Sequence, residues 1–240
     1  TDDGEMILLT GGTGLLGSHL IKLLPDNLFA PTRQTLDITS KKAIDNFHVC
    51  WENFHLIVHC AAFTDLVKSE QTPGTCYNVN VGGTSNLAKL KIPMVYISTE
   101  YVFDGEEGFY NEDDKPEPKN YYGLTKLWGE QEARRTRSVI IRCLFKSRPF
   151  KHDFACYNQF TTGDYVDKIA PEIALAIRNF DKLPETIHIG FNKKSMFELA
   201  RVTKPEIKPI SYQSITAVRL PKDTSLDTTR WRKIKELLHD

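Results

Sequence analysis

The stretch Met6-Ile7-Leu8-Leu9-Thr10, running into Gly11-Gly12-Thr13-Gly14-Leu15-Leu16-Gly17, decides how the rest of the chain is read. A short apolar run without polar alternation predicts a strand buried on both faces, as in a parallel sheet. Glycines follow at once at three-residue spacing, at Gly11, Gly14 and Gly17. Beyond them Leu15, Leu16, Leu20, Leu23 and Leu24 fall near helical spacing, so the chain turns from strand into helix inside the glycine loop. That turn aims backbone N–H groups and a helix N-terminus at one spot, which suits a pyrophosphate. Glycine lets the ligand approach without a Cβ in the way. The alternative is a turn that merely happens to be glycine-rich; its place between a strand and a helix favours a nucleotide site.

Working outward, Asn27-Leu28-Phe29-Ala30 predicts a second strand, ended by Pro31. About twenty residues past the first glycine, an NAD site places an acid on the ribose 2′-hydroxyl. Thr32 and Arg33 stand there instead. A guanidinium receives a 2′-phosphate that a carboxylate would repel, so NADP is preferred over NAD, the alternative being an exposed loop arginine. In Leu36-Asp37-Ile38-Thr39, Asp37 either accepts from the adenine amino group or helps cap the next helix, which Thr39 or Ser40 starts and which runs through Ala43, Ile44 and Phe47. Leu56-Ile57-Val58-His59-Cys60 predicts a third buried strand, and the small Ala61 and Ala62 after it leave room for a cofactor crossing the sheet edge. His59 reads as a satisfied core histidine.

Beyond Pro73, Tyr77, Val81, Leu87 and Leu90 outline a longer helix in which Asn80 bonds either backbone or a water beneath the site. Pro93-Met94-Val95-Tyr96-Ile97-Ser98-Thr99 is a fourth strand ending in two hydroxyls, and the acid- and proline-rich residues 106–119 read as a surface loop bordering a substrate cleft. A helix opens at 120–126 and continues through Trp128, Glu132 and Ala133; Val139-Ile140-Ile141-Arg142 is the fifth strand. This alternation predicts an α/β fold, a doubly wound parallel sheet of Rossmann type. Later, a helix is expected over 164–179, a strand at 187–190, a Ser195-capped helix and a final amphipathic helix reaching Leu237-Leu238.

Tyr122 and Lys126 are four apart, hence one turn apart on one helix face. A free phenol, with a pKa of about 10, is a poor acid–base group near neutrality, and a nearby ammonium shifts it towards working range. Tyr-x-x-x-Lys often arises by chance, yet of the nine tyrosines only Tyr122 has lysine four residues on. It also stands at a helix start downstream of a strand-end hydroxyl pair. Lys126 can also hold the nicotinamide ribose, and Thr99 or Ser98 can align the same substrate oxygen.

With 31 basic and 31 acidic residues, the formal charge is zero, and nothing suggests a nucleic-acid or anionic-membrane surface. The Arg134, Arg135, Arg137 cluster reads as a solvated helix end. Five cysteines without a Cys-x-x-Cys pair read as reduced thiols, the seven histidines show no metal spacing, and no metal is expected. No segment reaches the ~18 apolar residues of a membrane span, and the acidic start at 1–5 is unlike a signal peptide. A soluble, cytoplasmic protein is expected.

Taken together, the Gly-x-x-Gly-x-x-Gly loop, Ser98-Thr99-Glu100-Tyr101-Val102-Phe103-Asp104-Gly105 and Tyr122-Gly123-Leu124-Thr125-Lys126 resemble an extended short-chain dehydrogenase/reductase, and more narrowly the dTDP-4-dehydrorhamnose reductase family. Leu36-Asp37-Ile38-Thr39, the segment 59–65 and the segment 79–84 fit that family too, and the likeness is strong over residues 6 to about 145. It implies an NADP-binding Rossmann domain at 1–145 and a reduced substrate-binding lobe at 146–240, interwoven with it. It implies that NADPH reduces the C4 ketone of a nucleotide-linked 4-keto-6-deoxysugar, dTDP- or UDP-4-dehydrorhamnose, to the L-rhamnose donor. Thr99, Tyr122 and Lys126 would form the catalytic triad. Gly14, Leu15 and Leu16 would contact the pyrophosphate region, Asp37 and Ile38 the adenine, and Ala61, Ala62 and Phe63 the middle of the cofactor, beside Gly11, Gly17 and Arg33 as read above from the residues themselves.

Thr99, Glu100 and Phe145 would meet the sugar. The family usually has Asp where Glu100 stands and Trp where Phe145 stands. It also carries a longer insert before the segment seen here at 162–167, so the substrate lobe is trimmed. Two other functions follow from the same resemblance: an epimerase or dehydratase recycling NAD, and a non-catalytic NADP-binding regulatory subunit with a synthetase partner. A homodimer is left open.

Overall fold

The computed structural model describes residues 6–24, 27–47 and 51–238. Expectations for residues 1–5 and for Cys50 lie outside the described residues. The first predicted strand is β1 (Met6–Thr10), and the glycine loop leads into α1 (Leu15–Leu23). The central sheet adds β2 (Leu28–Phe29), β3 (Phe54–His59), β4 (Met94–Thr99), β5 (Ser138–Cys143) and, from late in the chain, β10 (Thr186–His188). All neighbours pair in parallel, in the order β10-β5-β4-β3-β1-β2.

The lack of alternation in β1 has a direct cause. Leu9 packs with Val58, Ile97, Ile141 and Ile187 on one face, under α1, α7 (Val166–Arg178) and Trp231 of α9 (Thr229–Leu238). Leu8 packs with Ile57, Tyr96 and Ile140 on the other, under α2 (Lys41–Asp45), α5 (Thr84–Ala88) and α6 (Tyr121–Ala133). Both faces are covered, so both must be apolar.

Between β3 and β4 run α3 (Leu66–Gln71), α4 (Pro73–Tyr77) and α5. The single long helix expected after Pro73 is widened by a π-helical stretch over Asn78–Gly83, the kind of interruption that turns a side chain out of the regular ladder. Helix α2 is also shorter than expected, ending at Asp45, and its cap is Ser40, whose hydroxyl accepts from the Ala43 amide.

After β5 the chain builds a lobe of short strand pairs: β6 (Phe145–Lys146) with β9 (Asp164–Tyr165), β7 (Phe154–Cys156) with β12 (Lys208–Ile210), and β8 (Phe160–Thr161) with β11 (Lys194–Ser195). Phe150, Cys156, Tyr165, Met196 and Leu199 give it a core of its own, with α8 (Met196–Arg201) closed at its start by a Ser195–Glu198 capping box. Residues 164–165, expected to begin a helix, form β9 before α7 starts at Val166. Because β10, α7 and α9 return to the sheet, the segment after residue 145 supplies part of the main layer as well as the lobe.

Trp231 is core, with its indole N–H on Glu172 at 2.6 Å, and Arg230 pairs with Glu112 and Asp113. The arginine cluster is tied down more than expected, to Glu130, Glu132 and Asp181. Cys60, Cys76, Cys143 and Cys156 are free. Among the described residues no helix is long and apolar enough to cross a membrane.

Candidate active site

A cavity of about 520 Å³ lies across the C-terminal ends of the strands, from the segment after β2 to the segment after β5. Its floor on the β1 side is the glycine loop, including Gly11, Gly14, Leu15, Leu16 and Gly17. The N-cap of α1 is Gly14, which offers no side chain to the first amides, so those donors are left to a ligand. Arg33, Asp37 and Ile38 line the same cavity after β2. The Arg33 guanidinium stands 3.5 Å from Asp37, its side chain 73% exposed.

Of the two roles open to Asp37, capping α2 is not seen. One carboxylate oxygen instead accepts from the Thr39 amide at 3.0 Å and hydroxyl at 2.7 Å. Burial works to raise this carboxyl, and the Thr39 bonds with the Arg33 charge outweigh it and hold it below its ordinary value.

Ala61 and Ala62 line the middle of the cavity, and Phe63 does not. The Phe63 backbone is instead clamped by Asn80, which accepts from its N–H at 2.8 Å, donates to its carbonyl at 3.1 Å and donates to the Thr125 hydroxyl at 3.0 Å. Of the roles open to Asn80, the backbone bond is the one formed. It comes from the π-helical stretch and pins the β3 loop to α6. His59 is satisfied between the hydroxyls of Thr10, at 2.7 Å, and Thr84, at 3.0 Å. Burial, with the Lys126 charge, drops it to about 3, so it stays neutral.

The β4 end and the start of α6 come together in the cavity. Asn120 caps α6 by accepting from the Gly123 amide at 2.8 Å. A Cβ at Gly123 would sit 2.2 Å from the Tyr101 carbonyl oxygen, so this close approach of helix to strand end needs glycine. It brings the Tyr122 phenol to the cavity wall that Thr99 also lines, near enough for the Thr99 hydroxyl to act on it. Ser98 follows Met94 and Tyr96 towards α6 and gives its hydroxyl to Glu130 at 2.6 Å, leaving Thr99 as the hydroxyl facing the phenol.

Lys126 departs from expectation. Its ammonium donates to the Ile97 carbonyl at 2.7 Å and lies 4.1 Å above the centre of the Tyr96 ring. Burial draws it down to about 8, with Glu130 partly offsetting. Tyr122 is moved in the direction opposite to the expected one. Burial pushes the phenol up from its ordinary value, the Thr99 hydroxyl only partly countering, so near neutrality it is a protonated donor.

Glu100 is not brought to the cavity. It is 0% exposed, and its two oxygens accept from the hydroxyls of Thr161 and Thr224, each at 2.7 Å. Without a cationic partner in contact, burial raises this carboxyl to about 8. It joins the strand end to the C-terminal lobe, while Phe145 does line the cavity. Two features escaped the sequence reading. One is the buried ion pair of Glu130 with Arg142, bidentate at 2.9 and 2.8 Å, which its i+4 spacing from Lys126 could have flagged. The other is Lys146, in the cavity wall beside Phe145.

A parallel sheet crossed at its C-terminal edge by such a cavity, with a glycine loop, an uncapped helix start and a Tyr–Thr pair, defines a Rossmann-type protein of the short-chain reductase kind. Residues 5–149 match the family described as the RmlD substrate binding domain, and the chain belongs to that family. Over 183 residues it is 34% identical to a dTDP-4-dehydrorhamnose reductase of Mycolicibacterium smegmatis, covering 70% of this chain and 55% of the relative. Over 143 residues it is 36% identical to methionine adenosyltransferase 2 subunit beta of Rattus norvegicus, covering 52% and 41%. Its fold is shared with dTDP-4-dehydrorhamnose reductase of Bacillus anthracis in complex with NADP, at a TM-score of 0.80 and 24% identity, covering 96% and 93%. The chain spans about half the length of the curated relatives it matches.

Proposed function

We propose that the chain is an NADPH-dependent reductase of the C4 ketone of a nucleotide-linked 4-keto-6-deoxysugar. The observation that carries this reading is the half-buried Tyr122 phenol, its pKa raised, which lines with Thr99 the cavity that also holds the glycine loop. When bound, NADPH supplies the hydride to C4. Tyr122 holds the proton for the ketone oxygen, and Thr99 donates to that oxygen and aligns it. The glycine loop and the start of α1 hold the pyrophosphate, Arg33 the 2′-phosphate, Asp37 and Ile38 the adenine, and Ala61 and Ala62 leave space between. Phe145 packs against the sugar, while residues 1–145 serve the cofactor and 146–240 chiefly the substrate. The similarity to dTDP-4-dehydrorhamnose reductases supports a deoxysugar substrate.

The test follows NADPH absorbance with 4-keto-6-deoxysugar nucleotides. Tyr122→Phe should lose ~10²- to 10⁴-fold in kcat while still binding NADPH. Turnover by Tyr122→Phe at the wild-type rate would remove the proposed donor.

A second reading is a non-catalytic, NADP-binding regulatory subunit. The engagement of the Lys126 ammonium with the Ile97 carbonyl favours it, as does the similarity to methionine adenosyltransferase 2 subunit beta. It predicts NADPH binding without turnover and a stable complex with a synthetase.

A further inference from the structure

The cavity wall beyond β5 runs Cys143-Leu144-Phe145-Lys146, with β6 held in parallel register to β9. Several other cations of this lobe are matched by carboxylates, and Lys151, Lys208 and Lys222, for which no such pair forms among the described residues, are exposed. Lys194 pairs with Asp164 at 2.8 Å, Arg148 with Asp167 at 3.3 Å, Lys204 with Asp153 at 2.7 Å, and Lys193 with Asp223. Lys146 is different. Half-buried, it has among the described residues no ion-pair or hydrogen-bond partner, and its ammonium is not sealed from the cavity. The carboxyl that acts on it through space, Glu100, is raised to about 8 by burial and has both oxygens taken by threonine hydroxyls. An ammonium partly stripped of water and lacking a counter-ion is a standing electrostatic cost, which an arriving anion relieves.

The dinucleotide phosphates are not that anion. In the sheet order, β5 lies three strands from β1, and at ~4.8 Å per strand the Lys146 wall is ~14 Å across from the glycine loop. The substrate half of the cavity is where Lys146 acts.

We propose that Lys146 makes the β5 side of the cavity an anion-binding subsite, selecting a substrate with a negative group beside its reducible sugar. The group is either the diphosphate joining nucleoside to sugar or a carboxylate on the sugar ring. This rests on the reading of the cavity as a nucleotide-sugar site.

Calorimetric titration of the full chain saturated with NADP⁺, using dTDP, UDP and free glucuronate as probes, tests it without needing turnover. Lys146→Met should bind the anion at least tenfold more weakly, and Lys146→Arg within threefold of wild type, with NADP⁺ affinity unchanged in both. A loss confined to dTDP and UDP identifies the diphosphate; a loss confined to glucuronate identifies a carboxylate. Unchanged binding by Lys146→Met, no binding of any probe by wild type, or a parallel loss of NADP⁺ affinity overturns the subsite. Absence of NADPH consumption by wild type with ketosugar nucleotides would instead remove the reductase reading and leave the calorimetric result standing.

Discussion

Replacing Gly17 by alanine tests whether the start of α1 is held in place by the glycine loop. A Cβ at Gly17 would lie 2.2 Å from the Gly11 carbonyl oxygen and 2.8 Å from both the Gly11 carbonyl carbon and the Gly12 Cα. Against a comfortable separation of about 3.5 Å, relief requires a shift of ~1 Å. Gly11 cannot retreat. It sits at φ +74°, with its own Cβ direction blocked 2.6 Å away by the Ala61 amide nitrogen, and its carbonyl already accepts from the Gly14 amide at 2.9 Å. Helix α1 must therefore swing outward, taking its free amides with it. Overpacking of this kind costs about 1–3 kcal/mol of stability. A displacement of ~1 Å at a binding constellation costs up to ~10²-fold in turnover. We expect Gly17→Ala to weaken NADPH at least tenfold in a fluorescence titration, about 1.4 kcal/mol, and to lower the urea midpoint. Gly82→Ala is the control. A Cβ there meets nothing within 4 Å in a helical stretch, so it should be neutral or stabilise by up to ~1 kcal/mol. An NADPH Kd for Gly17→Ala within twofold of wild type would refute the argument.

Arg33→Ala should weaken NADPH by about tenfold and leave NADH nearly unchanged, since the guanidinium, paired with Asp37 at 3.5 Å but largely exposed, can turn to a 2′-phosphate. Equal losses for both cofactors would remove that role. Glu100 gives a pH prediction with a defined sign. Its native pKa of about 8 lies above its ordinary 4.5, so between those values the folded chain holds a proton that the unfolded chain has released. Wild-type stability therefore carries a term that falls as pH rises from about 4.5 to 8 and is constant above. Urea melts should show Glu100→Gln gaining on wild type across that window and no further beyond it. A stability difference flat from pH 5 to 9 would show that the carboxyl is not held protonated.

Much of the sheet was legible because its cause is local. Both-face burial writes itself as apolar runs in β1, β3, β4 and β5, and strand-end glycines, alanines and hydroxyls mark where the cavity crosses the sheet edge. The Tyr122–Lys126 spacing likewise needs only one helix face. What could not be read depends on contacts distant in sequence. Whether Glu100 faces the sugar or is sealed is decided by Thr161 and Thr224, 61 and 124 residues away. The direction of the Tyr122 shift is decided by burial, which no pair spacing reports. The π-helical widening that aims Asn80 at Phe63 breaks the very periodicity used to find helices.

The stripe Tyr122, Lys126, Glu130 ties proton donation to the stability of the sheet. Successive turns of α6 carry the phenol at the cavity edge, the ammonium below it and the carboxylate at the bottom. Burial alone would raise the Glu130 carboxyl, but the Arg142 guanidinium, with Ser98, overcomes it and keeps the group ionised. That fixed negative charge in turn opposes the burial that draws Lys126 down. The ion pair thus acts at two ranges, locking β4 and β5 to α6 and biasing an ammonium one turn above it. Losing Arg142 would leave the buried carboxylate with Ser98 and the half-exposed Arg134, at 3.3 Å, as its partners, a cost of up to about 3–5 kcal/mol, and would disturb the charge beneath Tyr122 in the same step. Arg142, although it lies off the cavity lining, is therefore a positioning residue for the proposed chemistry.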